Sequence, residues 1–240
     1  MAYWVLKAVL SPVFFLLFRV RVEGRRHVPR RGPAVLAANH RSFCDSFFLP
    51  LVLGRRVTFL AKAEYFDTPR TAWFFRAAGQ IPIRRDGGDA AQQALETARE
   101  VLAAGRLLAI YPEGTRTLDE FVHRGRTGVA RLSRECGVPV IPVGLVGTDD
   151  VQPVDKMYMR PFRSVTIRFG APLRMPAAAD AADPMADHDH TVCRAFTDDL
   201  MKQIASLAGR QYVDEYVPKR RPPGSGRETP ASPKARPLTL

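Results

Sequence analysis

The stretch AVLAANHRSFCDSFFLPLVLG, residues 34–54, contains the pattern that decides the fold. It opens with a short apolar run, residues 34–39, of the kind that forms a strand buried on both faces. A second apolar run, residues 46–54, fits a helix that ends at Gly54. A buried strand followed at once by a helix predicts one strand–helix unit of an α/β protein.

The same alternation continues along the chain. Strands are predicted at residues 57–62, 80–83, 106–112, 138–147 and 164–170, and helices near 68–78 and at 89–105, 126–137 and 191–209. Asp89 and Gly105 suit the start and the end of the helix between them. Residues 171–190 are rich in Ala, Pro and Asp, which favours a loop. The order of elements predicts an α/β fold with a mixed, centrally parallel sheet flanked by helices.

Positive charge is concentrated at both ends of the chain. The 240 residues carry a formal net charge of +12. Residues 1–31 contain seven Lys/Arg and one acid, and residues 218–240 contain six and one, so the part between them is nearly neutral. A nucleic-acid-binding domain usually carries its basic stripe on the folded body, whereas basic ends fit an anionic membrane surface. We expect a basic membrane-associating segment (1–31), one folded domain (32–217) and a disordered basic tail (218–240).

The apolar stretch YWVLKAVLSPVFFLLF, residues 3–18, predicts a helix that lies in the membrane interface. It falls short of the roughly 20 residues that a spanning helix needs, and Pro12 is expected to kink or break it. A core helix of a soluble domain and a true span are the alternatives. Three scattered cysteines fit no disulfide framework and indicate a reducing compartment. The predicted location is the cytoplasmic face of the cell membrane, as a peripheral or monotopic protein.

An ionisable pair, His40 and Asp45, lies between the first strand and its helix. On a regular helix a spacing of five puts two side chains roughly 140° apart, so they meet only if His40 precedes the helix and Asp45 lies in its first turn. Ser42 or Asn39 is expected to cap that turn. If they meet, Asp45 holds one imidazole nitrogen and leaves the other as a general base for a substrate hydroxyl. A loop histidine beside a helix-terminal acid is the alternative, and Cys44 is a poor nucleophile because apolar surroundings raise a thiol pKa.

A second polar cluster, in the stretch IYPEGTRT at residues 110–117, follows a predicted strand. In open α/β sheets, ligands bind beyond the carboxyl ends of strands. Gly114 lets the backbone approach a ligand, Arg116 can bind a phosphate through two hydrogen bonds, and Glu113 can accept a hydroxyl or fix that arginine. A charged surface turn is the alternative for this stretch on its own.

The two clusters together resemble the glycerolipid acyltransferase family, whose best-known members are the 1-acyl-sn-glycerol-3-phosphate (lysophosphatidic acid) acyltransferases. Asn-His-x-x-x-x-Asp, the HX4D motif, is followed about 70 residues later by Pro-Glu-Gly-Thr-Arg. GQIPIRRD (79–86) and VPVIPVGL (138–145) match two further family blocks, although Arg84 replaces the acidic or polar residue usual there. FLAKAEYF (59–66) places Lys62 where the family often has a lysine. The resemblance covers roughly residues 20–175.

The resemblance implies a role for each matching residue, with residues 32–217 as the acyltransferase domain. His40 would be the general base that takes the proton from the sn-2 hydroxyl of lysophosphatidic acid, and Asp45 would orient the imidazole and stabilise its cation. The hydroxyl would attack the thioester of acyl-CoA, or of acyl carrier protein, and phosphatidic acid would form. The residues expected to bind substrate are Glu113, Gly114, Thr115, Arg116, Arg85 and Lys62.

The resemblance implies no metal ion and no cofactor beyond the acyl donor, and it implies membrane lipid rather than nucleic acid as the partner. The run DHDH, residues 187–190, looks like a set of metal ligands, but its loop composition favours a solvated turn. The alternatives are a relative that acylates glycerol 3-phosphate, a lysophospholipid or a glycolipid, and a non-catalytic peripheral lipid-binding protein. The motifs specify neither the acceptor nor the acyl length.

Overall fold

The computed structural model describes residues 1–83, 90–154, 156, 158–176 and 186–218, and most of its strands join one mixed sheet. The helices are α1 (Ala2–Leu17), α2 (Asp45–Val52), α3 (Pro69–Ala77), α4 (Ala90–Ala103), α5 (Gly128–Cys136), α6 (Thr148–Val151) and α7 (Ala186–Ala208). The strands are β1 (Arg19–Glu23), β2 (Ala34–Ala38), β3 (Val57–Lys62), β4 (Ile81–Ile83), β5 (Leu107–Ile110), β6 (Val122–His123), β7 (Val140–Val146), β8 (Ser164–Phe169) and β9 (Tyr212–Val213).

The main sheet is parallel at its centre and mixed at one edge. Its strand order is β1-β8-β7-β2-β5-β3-β4. Strand β2 runs parallel to both β7 and β5, and β3 and β4 continue the parallel block. Strand β8 is antiparallel to β7, while β1 pairs parallel with β8 at the edge. The predicted fold class is therefore confirmed. Strands β6 and β9 pair with each other as a short separate ribbon.

Strand β2 lies at the centre because it is apolar on both faces, and all five of its residues are buried. Leu36 packs in one core with Phe48 of α2, whereas Val35 and Ala37 pack in a second core with Leu200 of α7. The alternation follows from the pleat, which points successive side chains to opposite faces. Full burial of one large apolar side chain contributes about 1.5–3 kcal/mol, so the two cores hold this strand firmly.

The register of the parallel strands brings the two polar clusters level with each other. Ala37 of β2 pairs with Ile110 of β5. The residues three positions further on, His40 and Glu113, therefore leave the sheet at the same carboxyl edge. Strand β3 ends at Lys62 on that edge as well. This is the edge at which open α/β sheets bind ligands.

The N-terminal helix forms as predicted but continues through its proline. The sequence predicts a kink or a break at Pro12; this residue lies in the interior of α1, so it does not break the helix. Pro12 is exposed, and so is Ala8, whose carbonyl loses its helical hydrogen bond to the proline. The helix is held from its other side, where Phe14 packs edge-on against Phe48 at a centroid distance of 5.2 Å. None of the helices in the described part of the chain has the length and apolar character needed to cross a bilayer.

Several boundaries differ from the sequence prediction. The pattern does not predict strand β1, which joins part of the 1–31 segment to the sheet. Helix α7 begins at residue 186, so the predicted turn at 187–190 is wrong. The apolar spacing that marks this helix starts only near Val192, which packs against the core. Asp89, Arg84, Arg85 and the tail from residue 219 lie outside the described residues.

Candidate functional site

His40 and Asp45 are in direct contact. His40 lies in the loop after β2, and Asp45 is the first residue of α2. Nδ1 of His40 lies 2.8 Å from Oδ2 of Asp45. Because a carboxylate can only accept, Nδ1 donates the hydrogen bond and Nε2 keeps its lone pair. This is the geometry of a general base oriented by an acid.

The loop backbone fixes the Asp45 carboxylate. Its Oδ2 also accepts hydrogen bonds from the N–H groups of Arg41 and Ser42, at 2.8 and 2.9 Å. Asp45 is completely buried, whereas the side chain of His40 retains 18% of its accessible surface. The pair therefore presents its basic nitrogen from a rigid, buried support.

The turn before α2 is not capped as predicted. The Asn39 amide instead joins β2 to β7, donating to the carbonyl of Leu145 at 3.0 Å and accepting from its N–H at 2.8 Å. The Ser42 hydroxyl donates to the carbonyl of Gln152 at 2.8 Å. The prediction that Asn39 or Ser42 caps the helix is wrong, because Asp45 satisfies the turn with its own carboxylate.

Glu113 joins the second polar cluster to the first. Its Oε2 accepts from the backbone N–H of His40 at 3.1 Å, and its Oε1 accepts from that of His123 at 2.9 Å. The residue is only 3% exposed, and this burial raises the pKa of Glu113 to about 7. Thr117 adds two donors to the His40 carbonyl, its N–H at 2.9 Å and its hydroxyl at 3.2 Å. Glu113 thus positions the His40 loop, and its contact with an acceptor stays a prediction.

Tyr111 is a site residue that the motif analysis missed. Its ring stacks on the His40 imidazole, with centroids 3.8 Å apart and planes 6° apart. Its hydroxyl lies 3.0 Å from the Ser46 Oγ. Burial, and then the charge of Asp45, hold the pKa of Tyr111 well above its usual value, so the hydroxyl stays neutral. Strand alternation could have found this residue, because it lies on the same face of the sheet as Ala109, in the core under α2.

Two adjoining cavities share the loop Gly114–Arg116. The first, of about 480 Å³, is bordered by His40. Its aromatic lining consists of Phe43, Phe47, Phe59, Tyr65, Phe75 and Tyr111. The second, of about 690 Å³, is lined by Arg116 and Arg126 together with Asp119 and Tyr216. His40 therefore borders the aromatic cavity, which shares the Gly114–Arg116 loop with the second, arginine-bearing cavity.

The other described residues predicted to bind substrate lie near the two cavities. Lys62 borders the first cavity from the end of β3. Gly114 has a φ of 78°, and an added Cβ would lie 3.0 Å from Nε of Arg126, so the position requires glycine. Arg85 lies outside the described residues. The structure groups the other predicted residues at one edge: His40, Asp45, Lys62, Glu113, Gly114, Thr115 and Arg116.

The C-terminal segment contributes a wall that no local pattern indicates. Nδ1 of buried His123 lies 3.1 Å from the carbonyl of Glu215, and its Nε2 lies 2.9 Å from Asp119. The next residue, Tyr216, lines the second cavity with the Arg126 guanidinium 5.7 Å from its ring centroid. The contacts of His123 with Glu215 and of Arg126 with Tyr216 join residues about 90 positions apart, which explains why the sequence alone does not reveal them.

The Cys44 thiol is not suited to nucleophilic attack. It is buried and donates weakly to the Ser42 hydroxyl. Burial, together with the charge of Asp45, raises the pKa of Cys44 to about 12. Among the described residues, no three His, Cys, Asp or Glu side chains lie together as a metal site would require.

The chain is similar in sequence to known acyltransferases. Residues 19–146 match the family model described as Acyltransferase. A chloroplastic 1-acyl-sn-glycerol-3-phosphate acyltransferase of Arabidopsis thaliana is 29% identical over 152 residues, which are 63% of this chain and 42% of that protein. A lyso-ornithine lipid O-acyltransferase of Pseudomonas aeruginosa is 37% identical over 131 residues, which are 54% of this chain and 48% of that protein. The chain thus spans less than half the length of these curated relatives.

The fold also matches a solved structure. The crystal structure of the 1-acyl-sn-glycerophosphate acyltransferase of Thermotoga maritima superposes with a TM-score of 0.58 at 22% identity. The match covers 82% of this chain and 79% of that one. At this identity the likeness concerns the fold.

Proposed function

The chain belongs to the glycerolipid acyltransferase family, and from that premise we propose that it acylates the sn-2 hydroxyl of lysophosphatidic acid to form phosphatidic acid. The observation that carries the proposal is the position of the His40–Asp45 pair. His40 borders the aromatic cavity, and this cavity shares the Gly114–Arg116 loop with the arginine-bearing second cavity. A reaction between an acyl thioester and an anionic lysolipid needs both kinds of space.

The chemistry requires one base and one good leaving group. Nε2 of His40 takes the proton of the acceptor hydroxyl while its oxygen attacks the thioester carbonyl carbon. Asp45, bonded to Nδ1, stabilises the imidazolium that forms. As the tetrahedral intermediate collapses, the C–S bond breaks and the imidazolium returns the proton to the leaving thiolate. An ester and a free thiol are the products, and His40 is neutral again.

The aromatic cavity supports acyl-CoA or acyl-carrier protein as the donor, with the acyl chain in the apolar space beside His40. The acceptor phosphate belongs on the other side. Arg116 and Arg126 both border the second cavity, and guanidinium groups bind phosphate through paired hydrogen bonds. Lys62 adds positive charge at the rim of the first cavity.

A second acceptor class is favoured by one observation. The relative that is 37% identical is named for lyso-ornithine lipid, which is not a glycerol phosphate. Guanidinium groups bind carboxylates as well as phosphates, so the same arginines fit such an acceptor. The reaction at His40 would be unchanged, since it needs only a free hydroxyl.

Helix α1 supports action at a membrane surface. Met1 and the exposed residues of the helix are all apolar: Met1, Ala2, Trp4, Val5, Ala8, Val9, Pro12, Val13, Phe15 and Leu16. Leu16 alone is 81% exposed. The polar residues Lys7 and Ser11 lie on the half-buried side, where Lys7 donates to the carbonyl of Pro50 at 2.6 Å. An exposed apolar stripe of this length marks an interaction surface, and we propose that it lies in the cytoplasmic leaflet that holds both lipids.

The proposal is tested by following free thiol with a chromogenic reagent. The purified chain is mixed with palmitoyl-CoA and lysophosphatidic acid in nonionic micelles, beside His40→Ala and the surface control His190→Ala. Thiol release that needs the acceptor and His40, and that survives in the control, supports acyl transfer. Release only with lyso-ornithine lipid selects the second acceptor, and release only with an acylated carrier protein selects that donor. Lipid binding with no thioester consumption from any donor would indicate a non-catalytic lipid-binding protein.

A further inference from the structure

A cavity of about 560 Å³ lies at the amino ends of the parallel strands, on the edge opposite to His40. It is formed by residues 25–30, which precede β2, and by residues 53–55, which precede β3. Strand β2 has five residues, so the two edges are roughly 16 Å apart along it at about 3.3 Å per residue. This cavity is therefore separate from the acyl-transfer site.

The described lining of this cavity, which we call the arginine cavity, carries four guanidinium groups and no acid: Arg25, Arg26, Arg30 and Arg55. Arg55 is structural. Its Nη1 donates to the carbonyl of Pro29 at 2.8 Å, and its Nη2 donates to that of Gly32 at 2.7 Å. Arg55 thus holds the 29–32 loop in place and shapes the cavity wall.

The other three arginines of the cavity remain available. Within the described residues, the side chains of Arg25, Arg26 and Arg30 form no hydrogen bond or ion pair with the protein. The neighbouring acid, Glu23, is already bonded to Arg168 at 3.0 Å. Three uncommitted guanidinium groups around one space present a large excess of donors and positive charge. An anion with several acceptor oxygens is the ligand that satisfies them.

A further positively charged group, Lys7, lies beside the cavity. Burial, and then the charge of Arg25, lower the pKa of Lys7 to about 8. The Arg25 guanidinium lies against Gly54, where an added Cβ would come within 3.5 Å of its Nη2. A bound anion would offset this repulsion.

The surroundings indicate where the anion comes from. Lys7 of α1 donates to the carbonyl of Leu53, a lining residue, so the first turns of α1 adjoin the cavity. Trp4 and Val5 in those turns are exposed. An aromatic and apolar surface next to a cluster of arginines matches the two layers of a membrane surface, with acyl chains below and phosphates above. A site for a free phosphate ion would need the arginines but not the apolar surface of α1 beside them.

We propose that the arginine cavity binds the phosphate of an anionic membrane phospholipid, as a second lipid site on the edge opposite to His40. Helix α1 then contacts the bilayer between two headgroups, the acceptor at one end and the bound anionic lipid at the other. The site holds the enzyme on anionic membrane without taking part in acyl transfer.

The test is cosedimentation of the full chain with vesicles of phosphatidylcholine alone or with added phosphatidylglycerol. The variant is Arg25→Gln/Arg26→Gln/Arg30→Gln, which leaves the structural Arg55 in place. The matched control is Arg19→Gln/Arg21→Gln/Arg31→Gln, which removes the same charge from exposed positions of the same segment that do not line the cavity. Circular dichroism is used to check that both variants fold.

The first variant is expected to bind phosphatidylglycerol vesicles on the order of 100-fold more weakly, because three basic groups in contact with anionic lipid contribute roughly fivefold each. The control should lose much less, because its arginines do not line the cavity. Equal losses in both variants would show general attraction to the membrane surface and would overturn the proposed lipid site.

A second experiment titrates the chain with short-chain phosphatidylglycerol and with inorganic phosphate by calorimetry. Saturable binding of the lipid alone supports the proposal, and equal binding of inorganic phosphate contradicts its lipid identity. Neither experiment needs turnover, so the outcome is independent of the proposed acyl transfer.

Discussion

Replacement of Glu113 by glutamine should change how the stability of the fold depends on pH. An unfolded glutamate ionises near 4.5, whereas burial raises the pKa of Glu113 to about 7. The folded state therefore holds this proton more tightly than the unfolded state. The resulting stability is complete below about pH 4.5 and is lost as the pH rises through about 7. Glutamine has no proton to lose and lacks this dependence.

The magnitude follows from the two pKa values. At about 1.36 kcal/mol per pH unit, the gap between 4.5 and about 7 corresponds to roughly 3 kcal/mol of unfolding free energy. Glutamine also changes the hydrogen bonding, because its one carbonyl oxygen serves only one of the N–H groups of His40 and His123. Leaving the other donor unpaired costs about 1–3 kcal/mol, but this loss does not vary with pH.

The assay is urea unfolding followed by circular dichroism, at a series of pH values from about 4.5 to about 8, with extrapolation to zero denaturant. The difference in unfolding free energy, wild type minus Glu113→Gln, should fall by roughly 3 kcal/mol across that range, since other titrating groups cancel. Glu100→Gln, on the exposed side of α4, is the matched surface replacement. A difference for Glu113→Gln that stays flat with pH, or rises, would refute the reasoning.

Three further changes test other parts of the site. Asp45→Asn should lower kcat by about 10²–10⁴-fold while folding is retained, as measured by steady-state thiol release, because the imidazole loses the charge that stabilises its cation. Native alkylation with iodoacetamide, read by mass spectrometry, should modify half-buried Cys136 well before Cys44, whose thiol pKa is about 12; early loss of Cys44 would contradict its burial. Gly114→Ala should destabilise the fold by about 1–2 kcal/mol in thermal unfolding and raise KM for the acceptor, because its φ is 78° and its new Cβ meets Arg126. An unchanged KM would show that this loop does not shape the acceptor space.

The sequence is most informative where one local pattern determines the structure. Residues 34–38 are apolar without interruption, as in a strand buried on both faces, and the helix after it begins near the predicted place. The His40–Asp45 contact follows from that unit, since a strand, a short loop and a helix leave little freedom for five residues. The mixed sheet with a parallel centre follows in the same way from the alternation of strands and helices.

Long-range pairing could not be predicted in this way. The sequence RVRVE of β1 resembles an exposed basic segment, and its partner β8 lies about 145 residues further along the chain. Glu113 turns inward to accept from the N–H groups of His40 and His123. The register of β2 with β5 brings His40 level with Glu113, whereas His123 lies in β6, which pairs with β9. The wall formed by Tyr216 also depends on long-range pairing, in this case between β6 and β9.

In the proposed reaction, His40 activates the hydroxyl of an acceptor lysolipid for attack on an acyl thioester. The most direct measurement is mass spectrometry of the lipid formed from lysophosphatidic acid and palmitoyl-CoA, by the wild type and by His40→Ala. The wild type should form phosphatidic acid carrying the new acyl group, and the variant should form it about 10²–10⁴-fold more slowly. Phosphatidic acid formed by His40→Ala at the wild-type rate would show that His40 is not the general base.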